Sequence, residues 1–358
     1  MSKLIITTAS PGTSVQDKGR YGAQRYGLTT GGAVDVLALA AANTLVGNAL
    51  FDAGIEAGPL NSTFTARNGP VRLALSGAMR PVTIGDTPIP LNQSFTLHEG
   101  EVLTLGVARG GVFTYLAIAG GVRGEAMFGS LSVNARAGLG SPYPRALQAG
   151  DSLDVADGID AEPLQLDLPV AAEPVIRVVL GPQADEFDDA AQQLFLSADW
   201  TVSAASDRMG YRLGGPKIKH LHGHNIVSDG TVTGSIQVPG DGQPIALMPD
   251  RGTSGGYPKI ATVISTDLGR FGQLQAGTKF RFKSISVVEA QALAREAAAL
   301  LRSLPGRLHA PNENLINLAA LQNANVAGVA INANDSDGWQ TPQPNETAEL
   351  PVQLDKTI

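Results

Sequence analysis

Gly234-Ser-Ile-Gln-Val-Pro-Gly-Asp-Gly-Gln-Pro-Ile-Ala-Leu-Met-Pro-Asp-Arg-Gly-Thr-Ser-Gly-Gly-Tyr-Pro-Lys259 reads as two short apolar strands, Ile236 to Val238 and Ile245 to Met248, each running into a turn. The Gly and Pro residues are ordinary turn punctuation. Turn chemistry does not explain why Gln237, Asp241, Gln243, Asp250, Arg251, Thr253, Tyr257 and Lys259 gather in the same stretch. Glycine-rich loops let a backbone approach a ligand closely, and loops on a rigid sheet commonly carry binding chemistry.

The same grammar extends along the chain. Short β-branched runs such as Val71 to Leu75, Val102 to Val107, Phe113 to Ile118, Ile176 to Leu180 and Thr262 to Ser265 alternate with turn residues among 42 glycines and 22 prolines, which predicts a mainly β protein. Three segments read as helices. Val34, Leu37, Ala38, Ala41, Leu45 and Val46 keep helical spacing, with Asp35 at the start and Gly47-Asn48 as a stop. Phe187 to Phe195 does the same behind an acidic turn, and Ser286-Val-Val-Glu289 is a capping box opening a helix that Pro305 ends.

Leu147-Gln-Ala-Gly150 and Leu274-Gln-Ala-Gly277 are identical, and each precedes an alternating strand, which suggests two related halves. Ala156 to Pro174, rich in Asp, Ala and Pro, reads as the linker between them. The expected division is 1–160 and 172–305, followed by a polar extension over 306–358.

Composition narrows the function. A net charge of -7 argues against nucleic acid or an anionic membrane as partner, and the absence of cysteine excludes disulfides, thiolate metal sites and thiol nucleophiles. No apolar run reaches the length of a membrane span, and the N-terminus lacks a secretory leader pattern, so the expected location is cytoplasmic.

Ser206-Asp-Arg-Met-Gly-Tyr-Arg-Leu213, Gly234-Ser-Ile-Gln-Val-Pro239, Asp250-Arg251 and Gly255-Gly-Tyr-Pro258 resemble the carboxyltransferase-subunit family. That family takes in allophanate hydrolase subunit 2, the KipA-like subunits, the 5-oxoprolinase C subunit and the carboxyltransferase part of urea carboxylase. Ser10-Pro-Gly12, Val15-Gln-Asp17, Gly19-Arg20, Gly31-Gly-Ala-Val-Asp35 and Leu45-Val-Gly-Asn48 agree with it, and the match runs from the start of the chain to the helix after Phe282. The resemblance implies two cyclophilin-like β-barrel domains. It also implies the C subunit of an ATP-dependent 5-oxoprolinase, opening the lactam of 5-oxoproline to glutamate beside an allophanate hydrolase subunit 1-like companion and a LamB/YcsF-like subunit.

Within this resemblance Asp250, Arg251, Gln237 and Lys259 are the expected catalytic group. Arg208, Arg212, Tyr257, Asp17, Arg20 and Gln243 are expected at the substrate. The guanidinium fork matches planar oxyanions, which suits the arginines to a carboxylate, carbamate or phosphate, although most arginines make only ion pairs. Asp17, Asp35 and Asp250 either orient those arginines or cap turns and a helix. Two other readings remain open. One is carboxyl transfer to urea or another amide from carboxybiotin delivered by a partner; the other is a non-catalytic KipA-like regulator of a kinase inhibitor. Leu131 and Val133 stand where the family more often carries Arg and Thr, and Phe113 or Thr114 replaces a further arginine, leaving Asn134, Arg136 and Arg123 as substitute anchors.

Other motifs carry less. Gly252-Thr-Ser-Gly-Gly256 fits the nucleophile-elbow pattern, but Pro258 and a following strand deny it the helix it needs. His220, His222 and His224 alternate without further ligands, so no metal site is expected and an exposed strand or hairpin is the plainer reading. No phosphate-binding glycine loop and no biotinyl-lysine motif occur, so nucleotide or biotin would come with a partner.

Overall fold

A computed structural model describes residues 2–156, 161–169 and 175–311. The ends of the expected linker, 157–160 and 170–174, and the extension from 312 onward lie outside them.

The strands of the N-terminal half make two antiparallel sheets. One runs in the order Ser152–Asp154, Lys3–Thr8, Ser62–Arg67, Val102–Leu105, Val82–Ile84, Thr87–Pro88. The other runs Ser14–Gln16, Gly54–Ala57, Arg109–Ile118, Val71–Met79, Gln93–Leu97, Gln165–Leu166, Leu308–His309. Their facing apolar side chains, including Leu4, Ile6, Phe64, Leu73, Leu103 and Leu116, form one buried core. Leu308–His309, which fall within the expected extension, close the edge of the second sheet against Gln165–Leu166.

The C-terminal half closes. Val175–Leu180, Lys259–Val263, Ser235–Gln237, Ile245–Leu247, Gly210–Gly214, Trp200–Val202 and Lys279–Ser284 form a barrel. Its pairs are antiparallel except Val175–Leu180 with Lys279–Ser284. Closure removes the exposed edges that an open sheet must protect. The barrel is filled by aromatics: Phe195 stacks on Phe282 at 4.7 Å, and Phe271 meets Phe280 edge-on at 5.6 Å.

The Leu-Gln-Ala-Gly echo has a structural counterpart. Gly150 and Gly277 both adopt positive φ, 93° and 86°, which glycine tolerates without strain. Each turns the chain into a strand, Ser152–Asp154 and Lys279–Ser284 respectively.

Among the described residues four α-helices flank these strands. α1 (Val36–Leu45) is capped by the Asp35 side chain, which accepts from the Ala38 N–H, and it ends before Gly47 at φ 76°. α2 (Asp189–Ser197) is capped in the same way by Asp188. A short α3 (Leu268–Gly272) precedes the Leu274 turn. α4 (Val287–Ser303) opens on the expected capping box of Ser286 and Glu289 and stops two residues before Pro305. Ala33, Val34, Leu39, Phe113 and Tyr115 from the N-terminal half belong to the same buried cluster as the barrel aromatics, so the core runs unbroken across the seam.

Candidate functional site

Polar chemistry concentrates where that shared core meets the seam. Arg208 precedes the strand Gly210–Gly214, and all three of its side-chain nitrogens are engaged. Nε and Nη2 grip the two oxygens of Asp250 at 2.9 and 3.0 Å, Nη1 donates to Glu56 Oε1 at 2.5 Å, and Nη2 also donates to the Gly32 carbonyl at 2.8 Å. Glu56 is fully buried on the strand Gly54–Ala57, so this ion pair ties the N-terminal half to the barrel. Burial alone would lower the Arg208 pKa, but Glu56 and Asp250 outweigh it and hold the guanidinium charged.

Glu56 carries the network onward. Its Oε2 accepts from the Val34 N–H at 2.9 Å and from the Tyr115 hydroxyl at 2.6 Å, and that hydroxyl in turn accepts from the Asp35 N–H at 2.7 Å. Asp35 Oδ2 receives Gln273 Nε2 at 3.0 Å. Burial raises the Asp35 pKa against the pull of the Gln273 bond and the helix-cap N–H groups, and it pushes the Tyr115 hydroxyl well above its ordinary range.

Arg20 stands on the N-terminal side of the same seam. Its Nη2 donates to the Ser132 carbonyl, while Nε and Nη1, both shut off from solvent, have no partner among the described residues. Asp17 does not supply one, because its carboxylate is already engaged by the Ser130 and Ser132 hydroxyls at 2.7 and 2.5 Å and by the N–H groups of Gly19 and Leu131 at 2.7 Å. Leu131 therefore works through its backbone, and Val133 fills the N-terminal core. Burial lowers the Arg20 pKa, partly offset by the charges of Asp17 and Asp250. Gly31 lies against the free end of this guanidinium: a Cβ there would sit 3.2 Å from Arg20 Nη1 and 3.8 Å from Asp250 Oδ1.

Arg251 is also buried and incompletely bonded. Nη1 donates to Thr233 Oγ1 at 2.7 Å and Nη2 to the Thr231 carbonyl at 3.3 Å, while Nε has no partner among the described residues. Burial lowers its pKa.

A cavity of about 940 Å³ adjoins these groups. Thr30, Gly31, Thr233, Met248 and Pro249 form one of its walls, with Arg20, Asp250 and Arg251 immediately behind that wall in sequence or by contact. The rest of its lining includes Arg177, Asp267, Arg270 and residues of α4 from Ala294 to Leu301. Asp267 is fully buried. Burial pulls its pKa upward, but the Arg177 hydrogen bonds and the Arg177 and Arg270 charges hold it below the ordinary carboxylate range.

The structure thus brings Asp17, Arg20, Arg208, Asp250 and Arg251 to one seam. It places Gln237 and Lys259 together as cross-strand neighbours in the barrel, both buried, with Lys259 Nζ bonded to Asp229 at 3.0 Å and Gln237 Nε2 reaching the Tyr257 carbonyl at 3.4 Å. The remaining candidates lie outside both groups. Arg212 projects to solvent from its strand, Tyr257 is partly exposed, and Gln243 fastens a turn by hydrogen bonds to the Gly215 N–H and carbonyl. Glu56, Tyr115, Ser130, Ser132 and Gln273 are not among the sequence candidates. A glutamate inside the apolar run Gly54-Ile-Glu-Ala57 is the available signal, because a buried charge demands a partner.

Ser254 sits on a two-residue strand facing Gly230, without the strand–turn–helix of a nucleophile elbow. The histidines lie on a loop rather than the expected strand or hairpin: His220 Nε2 donates to the Val238 carbonyl and the ring packs on Phe187, and His224 stacks edge-on to His220. Among the described residues no helix is long and apolar enough to cross a membrane.

The model for "Carboxyltransferase domain, subdomain A and B" matches residues 26–284. The 5-oxoprolinase C subunit of Haemophilus influenzae is 35% identical over 284 residues, covering 79% of this chain and 91% of that protein. Its Escherichia coli counterpart is 35% identical over 317 residues, covering 87% and 100%. The crystal structure of the K. lactis urea amidolyase superposes with a TM-score of 0.79 at 27% identity, over 84% of this chain and 20% of that one.

Proposed function

The chain belongs to the carboxyltransferase family of subdomains A and B, and from that premise we propose that it is the C subunit of an ATP-dependent 5-oxoprolinase, acting with partner subunits. The observation that carries this reading is coverage. The similarity spans nearly the whole of two proteins named as the C subunit of 5-oxoprolinase, but only a fifth of the urea amidolyase.

Ring opening breaks the bond between the lactam carbon and nitrogen, places water's oxygen on the carbon and leaves a proton on the nitrogen. An unactivated amide resists this, so the terminal phosphoryl of ATP is passed to the amide oxygen. Water's attack then expels the ring nitrogen, and a second water releases phosphate from the resulting acyl phosphate, leaving glutamate, ADP and phosphate. In this reading the spare N–H groups of Arg20 and Arg251 receive the substrate carboxylate or the developing oxyanion, as preorganised donors in a water-poor site do. Arg208 is a positioning residue: it holds Asp250 in a fixed orientation beside Arg20 and is itself saturated. Asp250, with its side chain partly open, is the acceptor available for the lactam N–H. Gln237 and Lys259 polarise the reacting amide from the barrel side, and the companion subunits complete the site.

Reconstitution with an allophanate hydrolase subunit 1-like companion and a LamB/YcsF-like subunit tests this. Glutamate should form from 5-oxoproline in step with ATP consumption and without biotin. Carboxylation of urea by the assembly, dependent on a biotin carboxylase partner, would establish the carboxyl-transfer alternative that the fold match to urea amidolyase favours. The absence of both activities, with binding to a kinase inhibitor, would leave the regulatory reading.

A further inference from the structure

A third buried arginine sits in the N-terminal half, outside the seam network. Arg80 follows directly on the strand Val71–Met79 and is only 7% exposed. Its Nη2 donates to the Gly58 carbonyl at 2.8 Å, whereas Nε and Nη1 have no partner, and among the described residues no carboxylate pairs with it. Burial lowers its pKa to about 10, and no neighbouring acid restores it. A cation left this way is a cost to the free chain, since buried charges are ordinarily paired.

Exposed apolar side chains stand on the backbone segments that adjoin this group, beside the exposed Arg109. Leu60, Met79 and Val107 are 51%, 70% and 49% exposed. They are neighbours through the backbone: the Ala108 N–H donates to the Pro59 carbonyl, the Gly106 N–H to the Pro81 carbonyl, and Met79 lies opposite Arg109 in the sheet. Single exposed apolar residues need no explanation, but three on adjoining segments next to an unpaired cation form the pattern of an interface core with a charged anchor.

We infer that the face formed by Leu60, Met79 and Val107 docks a separate protein chain that brings a carboxylate side chain to Arg80. A small anion would satisfy the charge and leave the apolar side chains wet, while a protein surface covers both. The net charge of -7 opposes pairing with a second copy, so the occupant is the companion subunit of the proposed enzyme, and the inference rests on that reading. Both free donors are closed to solvent in the unbound chain, so the interface forms with a small shift of Arg80 or of the Gly58 to Leu60 loop.

The test uses the full chain and the purified allophanate hydrolase subunit 1-like companion, with affinity read by biolayer interferometry. Met79→Asp and Arg80→Met should each weaken binding by about tenfold or more, as loss of an anchor contact does. The free Arg80→Met chain should melt at or above wild type, which separates lost docking from lost folding. Unchanged affinity in both variants overturns the inference, as does failure of the wild-type pair to associate. A wild-type dimer that Met79→Asp splits also overturns it, because the occupant is then a second copy. Glutamate release by the assembled complex is read separately. Release that survives with affinity indifferent to both variants refutes the face and spares the function; association through this face without release does the reverse.

Discussion

Arg208 and Arg20 come from the two halves and feel the charge of the same aspartate, Asp250, in opposite conditions. Arg208 comes from the barrel, and its nitrogens are taken up by Asp250, Glu56 and the Gly32 carbonyl. Arg20 comes from the N-terminal half, makes one bond to the Ser132 carbonyl and keeps two nitrogens free. A saturated buried cation is part of the architecture, because each partner would be stranded without it. An unsaturated one carries a desolvation cost that only a ligand relieves. The difference sorts the arginines by role without reference to any relative.

The largest effect expected from this sorting is on folding. Arg208→Met leaves Glu56 buried without its cation and should destabilise the chain by about 3–5 kcal/mol, the scale for breaking a buried ion pair. Urea denaturation measures it, and a variant near wild-type stability would erase the contrast with Arg20. Arg251, incompletely bonded like Arg20, should behave on the ligand side of the comparison. Arg251→Ala should slow the assembled enzyme by about two to three powers of ten, or about 2–4 kcal/mol of transition-state stabilisation, while the melt stays close to wild type. Arg251→Lys should recover little, because one ammonium does not reproduce the guanidinium contacts. An activity loss only in proportion to a lowered melt would move Arg251 to the architectural class.

Tyr115→Phe probes the next link from Arg208. It removes a donor to Glu56 and an acceptor for the Asp35 N–H, and should cost about 1–3 kcal/mol in the same denaturation assay. Asp35 sharpens the comparison through pH. Its folded pKa is raised by burial, so the unfolded chain gives up this proton first as pH rises. Its contribution therefore favours folding below the ordinary carboxylate range and is lost as pH climbs through that range toward the folded value. Thermal melts from pH 4 to 7 should show a flatter profile in Asp35→Asn, and an unchanged profile would show that the charge on Asp35 is of no consequence there.

How much of this is legible in the sequence depends on whether a feature is local. The α1 stop at Gly47, the Ser286–Glu289 capping box and the two Leu-Gln-Ala-Gly turns are written within a few residues, and the structure forms each of them. The motif reading places Arg212 at the substrate alongside Arg208, yet Arg212 sits within the strand between the inward-pointing Tyr211 and Leu213 and so points out, whereas Arg208 lies before the strand and is largely buried at the seam. The partnership of Arg208 with Glu56 spans 152 positions and arises only when the halves pack. Saturation is likewise invisible in sequence, because whether a guanidinium keeps a spare N–H depends on every neighbour the fold supplies. The motifs therefore lead to one seam but do not distinguish the residue that holds it from the residues with donors to spare.

Arg20→Met, assayed for both stability and turnover, tests that distinction most directly. The account predicts a free chain within about 1 kcal/mol of wild-type stability, because a buried cation with two unpaired nitrogens contributes little to the fold. It predicts intact assembly and a kcat/KM for 5-oxoproline reduced by about two to three powers of ten. Near-normal turnover, or a collapse in stability that activity merely follows, would contradict it.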